Sequence, residues 1–306
     1  MSEQLAVTER LEAARAKVAV VAHPQRGTLQ VTGPDRVAWL NGLVTCDVAA
    51  VRAGRGTWGF LLSRTAKIES VVWVVSHANS LLLSVAPGTA EVVLAELDRR
   101  LIMEDAEVRD VSEQWVWSVA LGPQAEVHVE GVAAAAEGRL AFGRVEMLGL
   151  GDVAVAHPPG GGELASTELD VASWTLLRLQ RHWGEFGADY GSEQRPHEAA
   201  LERRGVAWDK GCYLGQEVVC MQEMRGKVKQ ALRVFTVAAP HAAGLVRGAS
   251  VLCNGNRVGE VTSAAFDPEG QKWWLMARMT LASLTEPLEV EAGTGRHPVA
   301  LSTQPL

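Results

Sequence analysis

Residues 210–217, KGCYLGQE, bring a thiol, an ammonium, a phenol, an amide and a carboxylate together within eight positions. Cys212 follows Lys210 by two residues. It precedes a stretch, residues 218–225, that reads as a helix and that Gly226 can end in the left-handed conformation. Unpaired N–H groups at a helix start, together with a neighbouring ammonium, favour a thiolate on Cys212. Such a thiolate is a nucleophile, a redox centre or a soft metal ligand. On spacing alone the same cysteine also fits as a small buried filler beside Gly211. Arg203, Arg204, Lys210, Arg225, Lys227, Lys229 and Arg233 lie around the segment. They would hold a small anion or, more commonly for such runs, form a solvated face.

Composition narrows the classes to which this chemistry belongs. The chain has 306 residues, enough for two or three cores, and 47% of them are hydrophobic. It contains no run of about 18 apolar residues, so no transmembrane helix is expected. The N-terminal stretch MSEQLAVTERLEAARAK mixes Glu3, Glu9 and Glu12 with Arg10 and Arg15. That mixture does not suit a secretory or mitochondrial presequence and leaves the cytoplasm as the expected location. The net charge of −7 opposes direct, extensive contact with a nucleic-acid backbone. Cys46, Cys212, Cys220 and Cys253 are expected to be reduced thiols, and neither they nor the histidines have zinc-ligand spacing.

The elements that must position the segment can be read from periodicity. A strand at residues 28–32 runs into Gly33, Pro34 and Asp35 and then a helix burying Val37, Leu40, Leu43 and Val44. Residues 58–62, 68–75 and 81–85 read as antiparallel strands, with a turn at His77, Ala78, Asn79 and Ser80. A helix beginning near Thr89 buries Val93, Leu94, Leu97 and Leu101, and a further strand covers residues 116–121. The short Ala133 to Ala136 run is of low complexity, and the loop Pro158, Pro159, Gly160, Gly161, Gly162 marks a crossover. Beyond it a long helix, capped near Thr167 or Asp170, places Ala172, Leu176, Leu179 and Trp183 on one side. From residue 231 onward six short strands, at 232–237, 249–253, 257–264, 272–279, 288–291 and 298–302, predict a small closed barrel.

KGCYLGQE resembles the signature of the YgfZ family. VTGPDRVAWLNGLVTCDV at residues 31–48 resembles that family's N-terminal segment, and Arg225, Gly226 and Leu232 resemble the continuation after the signature. The resemblance spans essentially the whole chain. YgfZ proteins are relatives of the T-protein of the glycine cleavage system, a folate-dependent aminomethyltransferase. The resemblance therefore implies an α+β fold in which two interleaved α+β domains, residues 1–226, and a C-terminal β-barrel, residues 231–306, surround a central pocket for tetrahydrofolate or a derivative. It also implies support of iron–sulfur enzymes or cluster-assembly proteins, including enzymes that modify tRNA. Its site residues fall on Cys212 and Lys210 for chemistry and on Gln180, Glu198, Tyr213, Gln216, Glu217 and Arg225 for folate.

Departures from the T-protein pattern bear on chemistry. Where T-proteins carry an essential acid this chain reads Ala66, Lys67, Ile68, Glu69, Ser70, Val71, with Ser70 and Val71 at the aspartate positions. Without that carboxylate the general acid/base partner is missing, and Glu69 would replace it only after a one-residue slip that turns a strand side chain to the other face. In the L-R-x-E segment, Leu177, Arg178, Leu179, Gln180 carries an amide, which hydrogen-bonds but does not accept a proton. YgfZ proteins usually have Lys or Arg where this chain has Met221, with Arg225 one turn further on. Glu198 sits in a P-x-E-A segment like that of the T-protein relatives, and would equally serve as a carboxylate at a helix start. Trp39, Trp58, Trp73, Trp174, Trp183 and Trp208 offer surfaces for a pterin, although core packing is the commoner role of any one of them. Binding without turnover is the expected function, with a folate-dependent one-carbon transferase or demethylase as the alternative.

Overall fold

The computed structural model describes residues 2–23, 25–160, 164, 166–226, 228–238, 244–293 and 295–303. Lys227 of the basic stretch, and Gly161 and Gly162 of the crossover loop, lie outside the described residues.

β-Branched and aromatic runs separated by tight turns produce a five-stranded antiparallel sheet in the order Thr57–Leu62, Ile68–His77, Ser80–Val85, Gly27–Thr32, Glu107–Asp110. Strand alternation divides its residues between two cores. Val72 and Val74 face Val93 and Leu97 of the helix Ala90–Asp98, whereas Val71, Trp73 and Val75 face the centre of the molecule. A second, mixed sheet of six strands runs Thr167–Glu168, Ala19–His23, Val116–Leu121, Val153–His157, Ala141–Arg144, Gly54–Arg55. Its inner residues Val21, Trp117, Val119 and Ala154 join the same central core, and the helix Ala125–Ala135 covers its outer face. The strand Gly54–Arg55 comes from within the stretch that builds the first sheet, so the chain interleaves the two.

The six strands Gln230–Ala238, Lys272–Thr280, Asn256–Asp267, Ser250–Cys253, Leu288–Ala292 and Gly295–Leu301 form the expected closed barrel, the last pairing back onto the first through Phe235 and Leu301. The fold class is α+β. Among the described residues no helix is long and apolar enough to cross a membrane.

Two local features depart from the periodic reading. The expected long helix covers only Val171–Gln180, capped by Asp170, whose carboxylate accepts the Ser173 N–H at 2.8 Å. It ends because His182 adopts φ 53°, with the Trp183 N–H donating to the Arg178 carbonyl at 2.7 Å and the His182 N–H to that of Leu179 at 3.0 Å. That double bond pattern closes a helix, so Trp183 lies outside it. Ala172 is exposed, and the buried face carries Ser173, Trp174, Leu176, Leu177, Arg178 and Leu179. The second feature is a set of bulges, two of which bear on polar residues. Register shifts leave Glu69 unpaired between Ile68 and Ser70, and Thr262 unpaired between Val261 and Ser263.

The Thr262 bulge aims two hydroxyls at a buried ion pair. Arg178 meets Asp189 at 2.5 Å, with side chains 3% and 0% exposed. Asp189 also accepts from Thr262 Oγ1 at 2.6 Å and from the Glu185 N–H at 2.9 Å, while Arg178 donates to Ser263 Oγ at 2.7 Å and to the Trp183 carbonyl at 3.3 Å. Helix, loop and barrel therefore converge on one pair. Asp189→Ala takes the closer of two carboxylates from the buried guanidinium and leaves Glu185 at 3.3 Å from Nε, at a cost of about 3 kcal/mol, the low end for breaking a buried pair. The expected fall in thermal midpoint is about 10 °C, against about 1 °C for Arg99→Ala on the surface, measured by thermal denaturation of the two variants side by side.

Candidate functional site

The two sheets, the start of the helix Val171–Gln180 and residues 183–190 enclose a cavity of about 600 Å³. That volume suits a bound small molecule. Its wall is largely aromatic, with Trp73, Trp174, Trp183, Phe186 and Tyr190 joined by His23 and Arg26. His23 ends the strand Ala19–His23, and its ring meets Trp73 and Trp174 edge-on at centroid distances of 5.3 and 5.4 Å. The Arg26 guanidinium lies 3.8 Å from the Trp73 ring centroid and donates to Ser84 Oγ at 2.6 Å and to the Val71 carbonyl at 2.7 Å.

Burial sets the charges on this wall. Desolvation, then Arg26, lowers His23 to about 3, so the imidazole is neutral at physiological pH. Desolvation lowers Arg26 to about 9, against the pull of Tyr190 and Glu185, and the guanidinium stays charged at neutral pH. Burial and the nearby Asp189 push the Tyr190 phenol up. Three buried polar atoms on the wall have no hydrogen-bond partner: His23 Nε2, Trp73 Nε1 and Trp174 Nε1. Each is inaccessible as well as unpaired, a local cost of packing these rings together.

Val71 occupies the wall beside Arg26, where an acid was expected on the T-protein pattern. Ser70 points to the opposite side of its strand, accepting the Ala86 N–H at 2.9 Å and sharing a hydrogen bond of 2.9 Å with Thr89 Oγ1. The bulge leaves Glu69 among Glu96, Arg99 and Arg100, where burial raises its pKa. Three other carboxylates, Glu168, Asp170 and Glu185, line the cavity.

None of the eight residues singled out from the sequence lines this cavity. Gln180 accepts from Arg15 Nη2 at 2.9 Å and donates to Asp267 at 3.3 Å, tying the N-terminal helix Ser2–Ala16 to the barrel. The Glu198 carboxylate accepts the Arg195 N–H at 2.8 Å, and its carbonyl accepts the Leu232 N–H at 2.9 Å. The remaining six sit around the helix Gln216–Arg225, which starts two residues earlier than expected and ends at Gly226 with φ 58°, as expected. Gln216 opens it, with Glu217 and Arg225 exposed at its two ends.

Lys210 has a different task from the one its place beside Cys212 implied. Its ammonium donates to the carbonyls of Asn41 at 2.6 Å, Val44 at 2.8 Å and Cys46 at 2.6 Å, which engages all three of its N–H bonds. Burial lowers its pKa, and the thiol to which it is coupled is that of Cys46, itself pushed up to about 11 by burial. Tyr213 is buried, 5.5 Å from the Lys210 ammonium at its ring centroid, and its hydroxyl has no hydrogen-bond partner. Gly215, at φ 81°, allows the approach of Ser63, whose carbonyl would lie 2.8 Å from a Cβ there. Cys212 is exposed, so the small-filler reading does not hold for it. Among the described residues, no group of three or more His, Cys, Asp and Glu side chains is placed to hold a metal ion.

The sequence reading missed His23, Arg26, Glu185 and Tyr190. A signal existed in the apolar run AVVA closed by His23, which marks a strand whose last residue turns inward.

The family model described as the GCVT N-terminal domain matches residues 2–157. The chain belongs to this family. A curated Arabidopsis thaliana relative, "Putative transferase At1g60990, chloroplastic", is 24% identical over 83% of this chain and 63% of its own length. The "tRNA-modifying protein YgfZ" of Vibrio vulnificus strain CMCP6 is 28% identical over 71% of this chain and 69% of that protein, and that of Sodalis glossinidius is 24% identical over 79% of each. Among solved structures, the glycine cleavage system aminomethyltransferase T from Bartonella henselae shares the fold at a TM-score of 0.78, with 20% identity, covering 97% of this chain and 88% of that one. The chain thus spans about two thirds of the length of the first two curated relatives.

Within this GCVT-family fold the cavity and the signature make separate predictions. An unfolded chain protonates His23 near 6.5 and the folded protein only near 3, so unfolding takes up a proton between these values and stability is lost as pH falls from about 6.5. His182, lowered to about 4 by burial and by Arg204 and Arg233, acts with the same sign. The thermal midpoint is therefore expected to drop between pH 7 and pH 4, and His23→Phe to make that drop shallower. For the signature, Lys210→Ala removes three carbonyl contacts and is expected to lower stability by about 2–4 kcal/mol, whereas Cys212→Ser stays within about 0.5 kcal/mol of the parent in denaturant titrations.

Proposed function

We propose that the protein binds tetrahydrofolate or a derivative in the central cavity, and that it supports iron–sulfur enzymes, and through them tRNA modification, rather than turning over a substrate of its own. One observation carries the folate reading. A cavity of about 600 Å³ walled by Trp73, Trp174, Trp183, Phe186 and Tyr190, with Arg26 and Glu185 at its side, suits a heteroaromatic ring that stacks on the aromatic faces and hydrogen-bonds at its edges. A reduced folate supplies one-carbon chemistry at its ring nitrogens when bound. Arg26 would hold a carbonyl edge of the guest, and Glu185 would accept from its amino edge.

Support for the iron–sulfur part comes from the signature and from the relatives named as tRNA-modifying proteins. Cys212 is exposed, and one thiolate gives one soft ligand or one redox contact to a client. Its neighbours act by holding it out. Lys210 and Tyr213 anchor the loop from below, leaving the thiol at the surface.

A second reading is favoured by one observation, the Glu185 carboxylate on the cavity wall. It gives a folate-dependent one-carbon transferase the acid that Val71 does not supply. It also accords with the Arabidopsis relative, which is described as a putative transferase.

Tetrahydrofolate titration is expected to quench tryptophan fluorescence, and Trp174→Ala to weaken binding about tenfold. No quenching at millimolar ligand would refute the cavity's assignment. In a strain deleted for the gene, Cys212→Ser is expected to fail to restore an iron–sulfur-dependent activity although the variant is stably folded. Full restoration would remove the thiol from the function. Formation of methylene-tetrahydrofolate and free ammonia from tetrahydrofolate and an S-aminomethyl thioether, which is already at the oxidation level of formaldehyde and leaves as the thiol, lost in Glu185→Gln, would establish the transferase instead.

A further inference from the structure

A second depression, a groove of about 640 Å³, lies on the barrel. Strands position most of the polar groups that line it: Arg257 and Glu260 come from Asn256–Asp267, and Arg278 and Thr280 from Lys272–Thr280. Arg247 joins them from the turn ahead of Ser250–Cys253. Three guanidinium groups thus meet one carboxylate, in a chain whose net charge is −7. Internal pairing does not use up the excess. Glu260 is bonded to Arg257 and stands opposite Arg278 in the strand register. Arg278 is half-buried and donates to the Asp189 carbonyl at 3.1 Å, which fixes the guanidinium without neutralising it. Arg247 is exposed, and among the described residues no carboxylate pairs with it. The basic run around the signature is differently placed. Lys210 there is taken up by three carbonyls, and Arg203 by Glu223.

The lining selects a class of ligand. A guanidinium presents its N–H groups in a planar fork that fits the oxygens of a phosphate or a carboxylate. A single carboxylate brings one charge, and a dicarboxylate spreads its two over separate groups. A phosphate monoester concentrates close to two negative charges and three acceptor oxygens at one centre. Three arginines around one depression, with the Thr280 hydroxyl beside them, match that centre. The groove is larger than a phosphate and falls within the range of small-molecule sites, which leaves room for the esterified group. A nucleic-acid backbone needs a basic stripe that follows successive phosphates, whereas these charges are confined to one depression.

We propose that the barrel groove is a second binding site, separate from the central cavity and independent of what that cavity holds, for a small phosphate monoester. Arg278, fixed by the Asp189 carbonyl, supplies the inner contact. Arg247 and Arg257 supply the contacts at the solvent edge. Glu260 competes with the ligand for Arg257 and so limits the affinity.

Isothermal titration calorimetry of the full chain with ribose 5-phosphate, at low and at physiological ionic strength, tests this assignment. Binding at one site is expected, weakening as salt rises. Ribose without the phosphate should not bind, and succinate should bind about tenfold more weakly. The double variant Arg247→Ser, Arg257→Ser should lose about tenfold in affinity for ribose 5-phosphate, whereas Glu260→Gln should gain about threefold. Both arginines are exposed, and a gain in Glu260→Gln is opposite in sign to anything that misfolding produces. No binding of ribose 5-phosphate at millimolar concentration would overturn the proposal. So would an affinity unchanged in both variants, or succinate binding as tightly as the phosphate ester. Micromolar binding of a single-stranded oligonucleotide that ribose 5-phosphate does not displace would assign the groove to a polymer backbone instead.

Discussion

The fold is organised around a charge pair that solvent does not reach. Arg178 and Asp189 lie eleven residues apart in sequence and are nearly inaccessible, so each would be very costly without the other. The pair alone is not what stabilises the molecule, since two ions removed from water roughly offset their own attraction. Its effect is to demand company. The remaining donors and acceptors must be satisfied, and the groups that satisfy them come from the Trp183 carbonyl, the Glu185 N–H and the two hydroxyls of the Thr262 bulge. That requirement fixes residues 183–190 against both the helix Val171–Gln180 and the barrel, and the loop so fixed is one wall of the cavity.

The signature loop is tied down by a second polar cluster of a different kind. An ammonium with three rotatable donors suits three convergent carbonyls, and a planar guanidinium would not. The Lys210 position thereby joins the loop to the end of the helix Arg36–Asn41 and the turn beyond it, while Tyr213 fills the core and Gly215 admits Ser63. Lysine, tyrosine and the second glycine of the motif thus each have a structural reason to be there. Cys212 has none, because it is exposed and fills no space.

What the sequence made legible follows the same division between local and distant causes. The barrel strands were readable because alternation and turns such as Asn254 and Gly255, both at positive φ, act over a few residues. The Gly226 helix stop was readable for the same reason. Less so was the end of the helix Val171–Gln180, because a histidine rather than a glycine takes the left-handed position at residue 182, and apolar spacing continued through it to Trp183. The bulges at Glu69 and Thr262 depend on a partner strand and leave no mark in the strand that carries them. The cavity is the extreme case. His23, Val71, Trp174 and Glu185 come from four separate segments, and the unpaired state of the indole N–H groups exists only once these segments meet.

The acids of the cavity are distributed unevenly over its walls. At Val71 the strand offers a methyl surface and a carbonyl already engaged by Arg26, so nothing there moves a proton. Glu185 approaches from the opposite wall, 3.3 Å from Nε of the buried Arg178. A carboxylate so placed orients its free oxygen lone pairs toward the cavity as hydrogen-bond acceptors. The cavity thus combines aromatic faces with hydrogen-bonding groups on Arg26 and Glu185. The other two acids of the lining stand at the start of the helix Val171–Gln180, where Asp170 is already engaged by Arg10 and by the Ser173 N–H, so the carboxylates of this cavity are held by their neighbours as much as offered to its interior.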